Sequence, residues 1–251
     1  MAPAPVALVT GGNRGIGLAI ARALAARGLP LALVARDEAQ LRSAAQQLGS
    51  STTCLALDLA SSGAAERVSA WLQGRSIEVL VNNAGTAPSE RFEATTDEVL
   101  RHVLALHVQT PFALARLALA GMKARGRGTI VQVASTAGLR GFPFTAAYCA
   151  AKHGLLGWTR ALISELGDSP LRVYAVCPGF VDTELTRGAA ARVAARGKQT
   201  ADEALAKMGQ LNVLGRLHSV GEIAAFVAQL CVDRPPSGVF DLDREPPTRV
   251  E

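Results

Sequence analysis

The sequence predicts a doubly wound α/β fold, in which one parallel sheet carries helices on both faces. Short, nearly continuous apolar runs alternate with longer amphipathic stretches, and this alternation is typical of parallel strands joined by helices. A glycine-rich segment, TGGNRGIG (10–17), directly follows the first apolar run and opens the first amphipathic stretch. No repeat or linker divides the chain, so we expect one domain over residues 1–251.

The apolar runs give the predicted strands. Six are assigned to the parallel sheet: VALVT (6–10), PLALVA (30–35), TCLALD (53–58), EVLVN (78–82), TIVQVA (129–134) and RVYAVC (172–177). A seventh run, GVFDL (238–242), is a candidate edge strand. We expect the tail beyond Val239 to be weakly ordered.

Helices are predicted between these runs. One follows the glycine loop, and two long helices are expected over 97–123 and 146–166. The alternation breaks over 180–216, where Thr200 and Glu203 have the spacing of a capping box. A short helix within a long connection predicts a lid over a binding site.

Composition and charge argue against several classes of function. The net charge is +5, but the arginines are scattered and aromatic residues make up only 4% of the chain, so we expect no nucleic-acid surface. No uninterrupted apolar run of about 18 residues occurs, and the N-terminus shows no basic leader. The four cysteines stand singly, so no metal site is predicted. We expect a cytoplasmic protein that binds no membrane.

The glycine loop predicts a binding site for a dinucleotide. Gly11, Gly15 and Gly17 lie between a strand and a helix, where glycines permit a tight turn and a close approach to a pyrophosphate. The free N–H groups at the start of the helix favour an anion there. The spacing departs from GxGxxG, because Ile20 occupies the position of the last glycine.

The end of the second strand predicts which dinucleotide binds. A carboxylate there would accept the two ribose hydroxyls of NAD, whereas this chain has Ala35 followed by Arg36. Arg14 is expected to approach the same region, and two guanidiniums without a facing acid suit a 2′-phosphate. We therefore favour NADP(H) over NAD(H). Asp37 keeps the alternative open, because a small shift in register would make it the ribose acceptor.

The segment YCAAKHG (148–154) places Tyr148 and Lys152 one helical turn apart. Side chains at i and i+4 leave the same face of a helix and can reach a shared target. The pair is therefore either two polar groups on an alanine-rich helix or a proton donor beside a cation. The spacing alone does not decide between these readings.

Six motifs, in order, resemble those of the short-chain dehydrogenase/reductase family, and together they cover nearly the whole chain. They are TGGNRGIG (10–17), Asp58 after the third predicted strand, NNAG (82–85), Ser135 in VASTAG, Tyr148 with Lys152, and PGFVDT (178–183). The resemblance implies a Rossmann-type domain, a nicotinamide cofactor and hydride transfer to or from a carbonyl or alcohol carbon. The segments AAKHGLLGWTRAL and VCPGFVDTEL look most like the 3-oxoacyl and polyketide ketoreductase branch.

The resemblance also implies catalytic roles. Tyr148 would be the acid/base, Ser135 would hold the substrate oxygen, and Lys152 would bind the nicotinamide ribose and lower the pKa of Tyr148. Moving the pKa of a phenol from about 10 to near neutrality requires about 4 kcal/mol. One cation about 4 Å away, at an effective dielectric constant of about 20, supplies roughly that amount.

The cofactor contacts implied by the glycine loop and by the resemblance extend along the chain. Asp58 would approach the adenine, and Asn83 would line the adenosine ribose. Val181 and Thr183 would hold the carboxamide. The predicted set is Gly11, Asn13, Arg14, Gly15, Ile16, Gly17, Arg36, Asp58, Leu59, Asn83, Ala84, Gly85, Tyr148, Lys152, Pro178, Gly179, Val181 and Thr183.

His107 departs from the family pattern, which usually has asparagine at this position. We keep His107 as a candidate catalytic residue with three readings: a proton relay, a core residue, or a sign of lost activity. In the family, a water of the proton path is thought to bind the main-chain carbonyl at this position, and any side chain retains that group. We therefore expect activity to survive.

The C-terminus departs as well. The family commonly ends its last strand with an aspartate and two glycines, whereas this chain reads DLDREPPTRVE. That region often packs between subunits. The long helices, rich in Ala and Leu, still offer apolar faces, so a homodimer or homotetramer is expected.

The substrate pocket is expected to form from the segment 180–216, the residues after Ser135 and the neighbourhood of Ala87. Three residues are predicted to make an apolar wall, namely Leu139, Phe142 and Phe144. Four basic residues in 187–199 are either a solvated helix face or an entrance for an anionic carrier, coenzyme A or acyl carrier protein. They are Arg187, Arg192, Arg196 and Lys198.

Three functions follow from these observations. The first is an NADPH-dependent reductase of a 3-oxoacyl or polyketide-like ketone, favoured by Arg14, Arg36 and the basic segment. The second is an NAD-dependent secondary alcohol dehydrogenase that uses Asp37 at the ribose. The third is a cofactor-binding subunit without turnover, which His107 and the altered C-terminus suggest.

Overall fold

The computed structural model describes residues 4–197 and 199–250, except for the side chain of Arg196. Lys198, one of the predicted basic residues, lies outside the described residues.

The described residues form one eight-stranded sheet in the order β3-β2-β1-β4-β5-β6-β7-β8. The strands are β1 Val6–Thr10, β2 Leu31–Ala35, β3 Thr52–Ala56, β4 Ile77–Asn82, β5 Thr129–Val133, β6 Arg172–Cys177, β7 Gly238–Asp241 and β8 Thr248–Arg249. Neighbouring strands are parallel except for β7 and β8. The order reverses between β1 and β4, where doubly wound sheets bind ligands.

Helices cover both faces of the sheet, which confirms the predicted fold class. They are α1 Gly15–Ala25, α2 Glu38–Leu48, α3 Ala64–Leu72, α4 Asp97–Leu104, α5 Thr110–Arg125, α6 Ala146–Leu166, α7 Glu184–Arg196, α8 Ala201–Gln210 and α9 Val220–Asp233. Alternate residues of β1 face opposite sides, because side chains alternate along a strand. Val9 packs in a core with Ile20 of α1, and Leu8 packs in a second core with Leu114 of α5.

A π-helical turn, Ala105–Gln109, joins α4 to α5. The predicted long helix over 97–123 is therefore present, but it is wider at its middle and it ends at Arg125. Pro111 lies four residues after His107 and has no N–H, so the His107 carbonyl lacks the donor that an α-helix would supply. Such turns are frequent at functional sites.

The stretch Asp97–Arg125 is long and apolar enough to cross a membrane, judged by length and composition alone. Its residues Leu114, Ala118 and Met122 are buried in the core beneath the sheet. This packing is that of a core helix.

The C-terminal tail corrects the sequence-based expectation. Residues 248–249 form β8 antiparallel to β7, and Val250 N donates to Val239 O at 2.9 Å. The tail to Val250 is therefore hydrogen-bonded to the sheet, and β7 is an internal strand. A two-residue strand is too short to leave a hydrophobic period in the sequence.

The segment 180–216 contains two helices, α7 and α8, where one short helix was predicted. The capping box is confirmed, because Thr200 Oγ1 accepts from Glu203 N at 3.2 Å and Glu203 Oε2 accepts from Thr200 N at 2.8 Å. At the start of α7, Thr183 Oγ1 caps the helix by accepting from Thr186 N at 3.3 Å.

Candidate active site

A cleft of about 1020 Å³ opens at the carboxyl ends of the central strands. Nearly all predicted site residues line it. They are Gly11, Asn13, Arg14, Gly15, Ile16, Arg36, Asp58, Leu59, Asn83, Ala84, Gly85, His107, Ser135, Tyr148, Lys152, Pro178, Gly179, Val181 and Thr183. The structure therefore brings motifs from both halves of the chain to one place.

Gly17 is the exception, because it does not line the cleft. A Cβ at this position would lie 2.1 Å from the Gly11 carbonyl oxygen and 2.4 Å from Asn83 Nδ2. Gly17 therefore permits α1 to pack against the first turn of the loop. It shapes the site without facing a ligand.

The start of α1 is suited to an anion. Arg14 is the N-cap residue, but its side chain makes no capping hydrogen bond. Helix termini leave their first N–H groups unpaired, and here these groups border the cleft at Gly15 and Ile16. A pyrophosphate fits this set of donors.

Asn83 braces the glycine loop against β4. Its Nδ2 donates to Thr10 O at 3.0 Å, and Thr10 Oγ1 accepts from the main-chain N–H groups of Asn83 and Ala84 at 2.9 and 3.0 Å. The residue predicted to line a ribose thus also holds together two strand ends that border the cleft.

The side chains near the end of β2 differ in whether they already have a partner within the protein. Arg36 is exposed, and no carboxylate of the described residues pairs with it. Asp37 caps α2, because its Oδ1 accepts from Gln40 N at 2.9 Å. Arg14 forms an ion pair with Glu184 at the start of α7, so the expectation of two guanidiniums without a facing acid is wrong for Arg14. Glu184 lies in the segment 180–216, and the local sequence gives no sign that it approaches Arg14.

Ser135, Tyr148 and Lys152 converge on one side of the cleft. Ser135 follows β5, accepts from Ala137 N at 3.1 Å, and lies close enough to the phenol of Tyr148 to affect its pKa. Lys152 Nζ donates to Val133 O at 2.8 Å and lies 5.6 Å from the centroid of the Tyr148 ring. Tyr148 and Lys152, one helical turn apart on α6, therefore reach the same part of the cleft.

Burial dominates the acidity of this pair. It raises the pKa of Tyr148 to about 12, against which Ser135 acts, and it lowers the pKa of Lys152 to about 7. In the protein without cofactor burial outweighs any lowering by Lys152, so the effect of Lys152 on the pKa of Tyr148 stays a prediction. That prediction counted the Coulomb attraction and left out the desolvation of both groups.

His107 lies in the π-helical turn and contacts Tyr148. Its ring meets the Tyr148 ring edge-on, with centroids 5.4 Å apart and an interplanar angle of 83°. Nε2 lies 2.8 Å from Thr86 O and 3.2 Å from Thr86 N. Burial, and secondarily Lys152, lower the pKa of His107 to about 3, so the imidazole is neutral at physiological pH.

The substrate end of the cleft has aromatic and aliphatic walls. The rings of Phe142 and Phe180 meet edge-on at 6.3 Å, and Phe144 also lines the cleft. Leu139 does not line it and instead packs beside the core under α6, which corrects that part of the predicted wall. Met208 and Leu211 of the segment 180–216 line the cleft and were not predicted, since no pattern marks them.

Among the described basic residues of the segment 180–216, some face the cleft and others are paired with an acid. Arg192 and Lys207 line the cleft, although Lys207 Nζ also donates to Gln199 Oε1 at 2.6 Å. Arg187 instead forms a two-pronged ion pair with Asp182, at 2.7 and 2.8 Å. Its charge is therefore balanced by an acid that lies just outside the run of basic residues.

Known proteins resemble this chain over most of its length. Residues 5–194 match the family described as short chain dehydrogenase. A protein of Streptomyces violaceoruber, assigned as ketoacyl reductase 1 of the granaticin polyketide synthase, is 36% identical over 237 residues, which span 91% of this chain and 87% of that protein. The 3-oxoacyl-[acyl-carrier-protein] reductase of Escherichia coli is 31% identical over 230 residues, which span 91% of this chain and 90% of that protein. A crystal structure of a variant actinorhodin polyketide ketoreductase with NADPH superimposes with a TM-score of 0.88 at 33% identity, covering 96% of this chain and 97% of that one.

Proposed function

Because this chain belongs to the short-chain dehydrogenase family and is an NAD(P)-dependent oxidoreductase of C=O or CH–OH groups, we propose that it uses NADPH to reduce a ketone, with Tyr148 as proton donor. The ketone is a 3-oxoacyl or polyketide-like carbonyl. The observation that carries the proposal is the convergence of Ser135, Tyr148 and Lys152 in the cleft that the glycine loop borders.

In the protein without cofactor the raised pKa keeps Tyr148 protonated, which is the form that a proton donor to the reduced carbonyl requires. With a pKa of about 12, the phenol holds its proton at neutral pH and is ready to donate it. The acceptor is the oxygen of the reduced carbonyl, and an alkoxide is a stronger base than a phenolate.

The other groups position and replenish that proton. Ser135 gives the substrate oxygen a second hydrogen-bond donor beside the phenol, and Lys152 in its charged form stabilises the phenolate. His107 is neutral and hydrogen-bonds to Thr86, and its main-chain carbonyl, which lacks an α-helical donor because residue 111 is proline, would bind a water that connects the site to solvent. A bound nicotinamide supplies the hydride.

Arg36 supports NADPH as the cofactor. It is exposed at the end of β2, where a 2′-phosphate would lie, and Asp37 is engaged as the cap of α2. Replacing Arg36 with Ala should weaken NADPH binding about 10-fold or more, as expected for loss of a charge-assisted contact, and leave NADH binding nearly unchanged.

We further propose a carrier-linked substrate, on coenzyme A or acyl carrier protein, since Arg192 and Lys207 line the cleft and the reductase of Escherichia coli is named for such a carrier.

The protein acts in the cytoplasm as a homodimer or homotetramer. Phe112 is half-exposed on α5 and stacks edge-on with Trp158 of α6 at 5.6 Å, which gives these helices an apolar face for pairing.

The decisive experiment measures cofactor consumption by the purified full chain. The substrate is the acetoacetyl thioester of N-acetylcysteamine, offered with NADPH or with NADH. Ketone-dependent consumption of NADPH, faster than of NADH, is expected. Preference for NADH would favour the alcohol dehydrogenase, and no turnover on a broad panel of ketones would favour a binding subunit.

A further inference from the structure

We propose that Asp243 is a positioning residue for the ketone, because its buried carboxylate anchors the two aromatic rings that form one wall of the substrate end of the cleft. These rings belong to Phe142 and Phe180. The proposal rests on the proposed function and specifies how this chain orients its substrate. Asp243 lies in the C-terminal segment DLDREPP, which departs from the family pattern.

The Asp243 carboxylate is 1% exposed and lies among donors from two segments, the loop between α8 and α9 and the residues before α6. Val213 N donates to both of its oxygens at 3.1 Å, and His218 Nε2 lies 3.1 Å from Oδ1. Arg140 Nη2 lies 3.7 Å from Oδ2. A buried carboxylate is costly unless it is paired and hydrogen-bonded, so these partners are held in place around it.

Arg140 links the Asp243 carboxylate to the ring of Phe142. The guanidinium of Arg140 lies 5.1 Å from the centroid of the Phe142 ring, within the range of a cation–π contact. Arg140 does not itself line the cleft, whereas Phe142 does. The carboxylate therefore fixes the cation, and the cation restrains the ring from its outer side.

A second link reaches Phe180. Asn212 Oδ1 accepts from Phe180 N at 2.7 Å, and Asn212 Nδ2 donates to Phe180 O at 2.9 Å. Asn212 directly precedes Val213, which is bound to Asp243. At Gly179 an added Cβ would lie 2.3 Å from Asn212 Oδ1 and 3.0 Å from Asp243 Cγ. Because glycine has no side chain, the main chain at residue 179 packs directly against these two side chains.

Because the ring of Phe142 and the main chain of Phe180 are held by one anchor, loosening it should disturb ketone binding more than the other steps. Tyr148 and Lys152 are held by α6, and the glycine loop is held by β1 and α1, so neither depends on the contacts of Asp243. Proton donation and cofactor binding should therefore change little. The expected signature is a rise in KM for the ketone with nearly constant kcat and cofactor Kd.

The test uses Arg140→Gln, which removes the half-exposed partner of Asp243 and leaves the buried carboxylate in place. Arg140→Lys is the conservative rescue, and Arg244→Gln is the matched control, since Arg244 pairs with Asp241 at 3.1 Å on the same segment and does not line the cleft. The full chain is assayed with NADPH and the acetoacetyl thioester of N-acetylcysteamine. Hydrogen–deuterium exchange of residues 139–145 is measured on the same samples.

Arg140→Gln should raise KM about 3- to 10-fold, the range that one aromatic contact provides, with kcat and the Kd for NADPH within about 2-fold. Exchange in 139–145 should speed up. Arg140→Lys should recover most of the loss, and Arg244→Gln should resemble wild type. In an Asp243→Asn background, Arg140→Gln should add no further effect.

Unchanged KM and unchanged exchange in Arg140→Gln would overturn the proposal, as would equal changes in KM, kcat and cofactor Kd. Failure of the wild type to reduce any ketone would overturn the proposed function instead. Exchange in 139–145 would still be measured in that case, and a wild-type rate in Arg140→Gln would refute the anchor.

Discussion

The Lys152 ammonium group lies 5.6 Å from the centroid of the Tyr148 ring and donates a hydrogen bond of 2.8 Å to the Val133 carbonyl. Lys152 is 4% exposed, and its burial lowers its pKa to about 7. The buried cation is therefore costly to the fold. Its retention is best explained by what it does for a phenolate and a bound cofactor.

Lys152→Met should stabilise the protein most at low pH. The lysine titrates near 10.5 when unfolded and near 7 when folded, so between these values the unfolded chain binds more protons and the free energy of unfolding rises with pH. Below pH 7 the full cost, up to about 5 kcal/mol, is present. Urea unfolding at pH 6, 8 and 10 should give a stabilisation by Met that shrinks as pH rises. An equal stabilisation at all three pH values would contradict the proposal that burial of the charged lysine lowers the free energy of unfolding.

Glu184→Gln should strengthen NADPH binding. The carboxylate of Glu184 pairs with Arg14 at the mouth of the cleft, and a 2′-phosphate would compete for the same guanidinium. Exposed ion pairs contribute about 0–1 kcal/mol, so the Kd for NADPH should fall about 2- to 5-fold at low salt. The Kd for NADH is the internal control and should not change. A similar fall for both cofactors would show that Arg14 does not contact the extra phosphate.

Gly85→Ala should lower activity through His107. A Cβ at residue 85 would lie 2.6 Å from His107 Cε1, so the imidazole would have to leave its position against Tyr148. His107→Asn alone should keep activity within about 10-fold of wild type, because it keeps the main-chain carbonyl to which the relay water is proposed to bind. Since the smaller side chain makes room for the methyl group, the double variant should be more active than Gly85→Ala. Steady-state kcat of the three variants tests this, and a strictly multiplicative loss would argue against the steric mechanism.

Much of the fold was predictable because parallel strands and their helices leave long, periodic patterns. β7 was predicted as an edge strand, and it is internal because the short strand β8 has no period to read. The π-helical turn at His107 was also missed, since it differs from an α-helix by only one residue in its hydrogen bonding and is a single turn long. Local sequence patterns predict helices and strands well, but they predict the irregularities within these elements poorly.

The site was predictable where it is built from contiguous motifs and unpredictable where it depends on contacts across the chain. Ser135, Tyr148 and Lys152 were found from spacing and resemblance, and they line one cleft. The pairing of Arg14 with Glu184 joins residues 170 positions apart and has no local signal. The direction of the Tyr148 pKa also required burial, which a sequence does not state.

The most direct test of the central claim is the kcat of Tyr148→Phe, with Tyr174→Phe as the matched control. Tyr174 is the other tyrosine of the chain, and its hydroxyl donates to Pro235 O at 2.7 Å, away from the cleft. Loss of a positioned proton donor should lower kcat by about 10²- to 10⁴-fold. The Kd for NADPH should stay within about 2-fold of wild type, because Phe keeps the ring and its packing.

The control variant should retain wild-type kcat even if the loss of one buried hydrogen bond lowers its stability by about 1 kcal/mol. A Tyr148→Phe protein that binds NADPH normally and no longer reduces ketones is the predicted result. A Tyr148→Phe protein that keeps more than about a tenth of the wild-type kcat would contradict the assignment of this phenol as the proton donor.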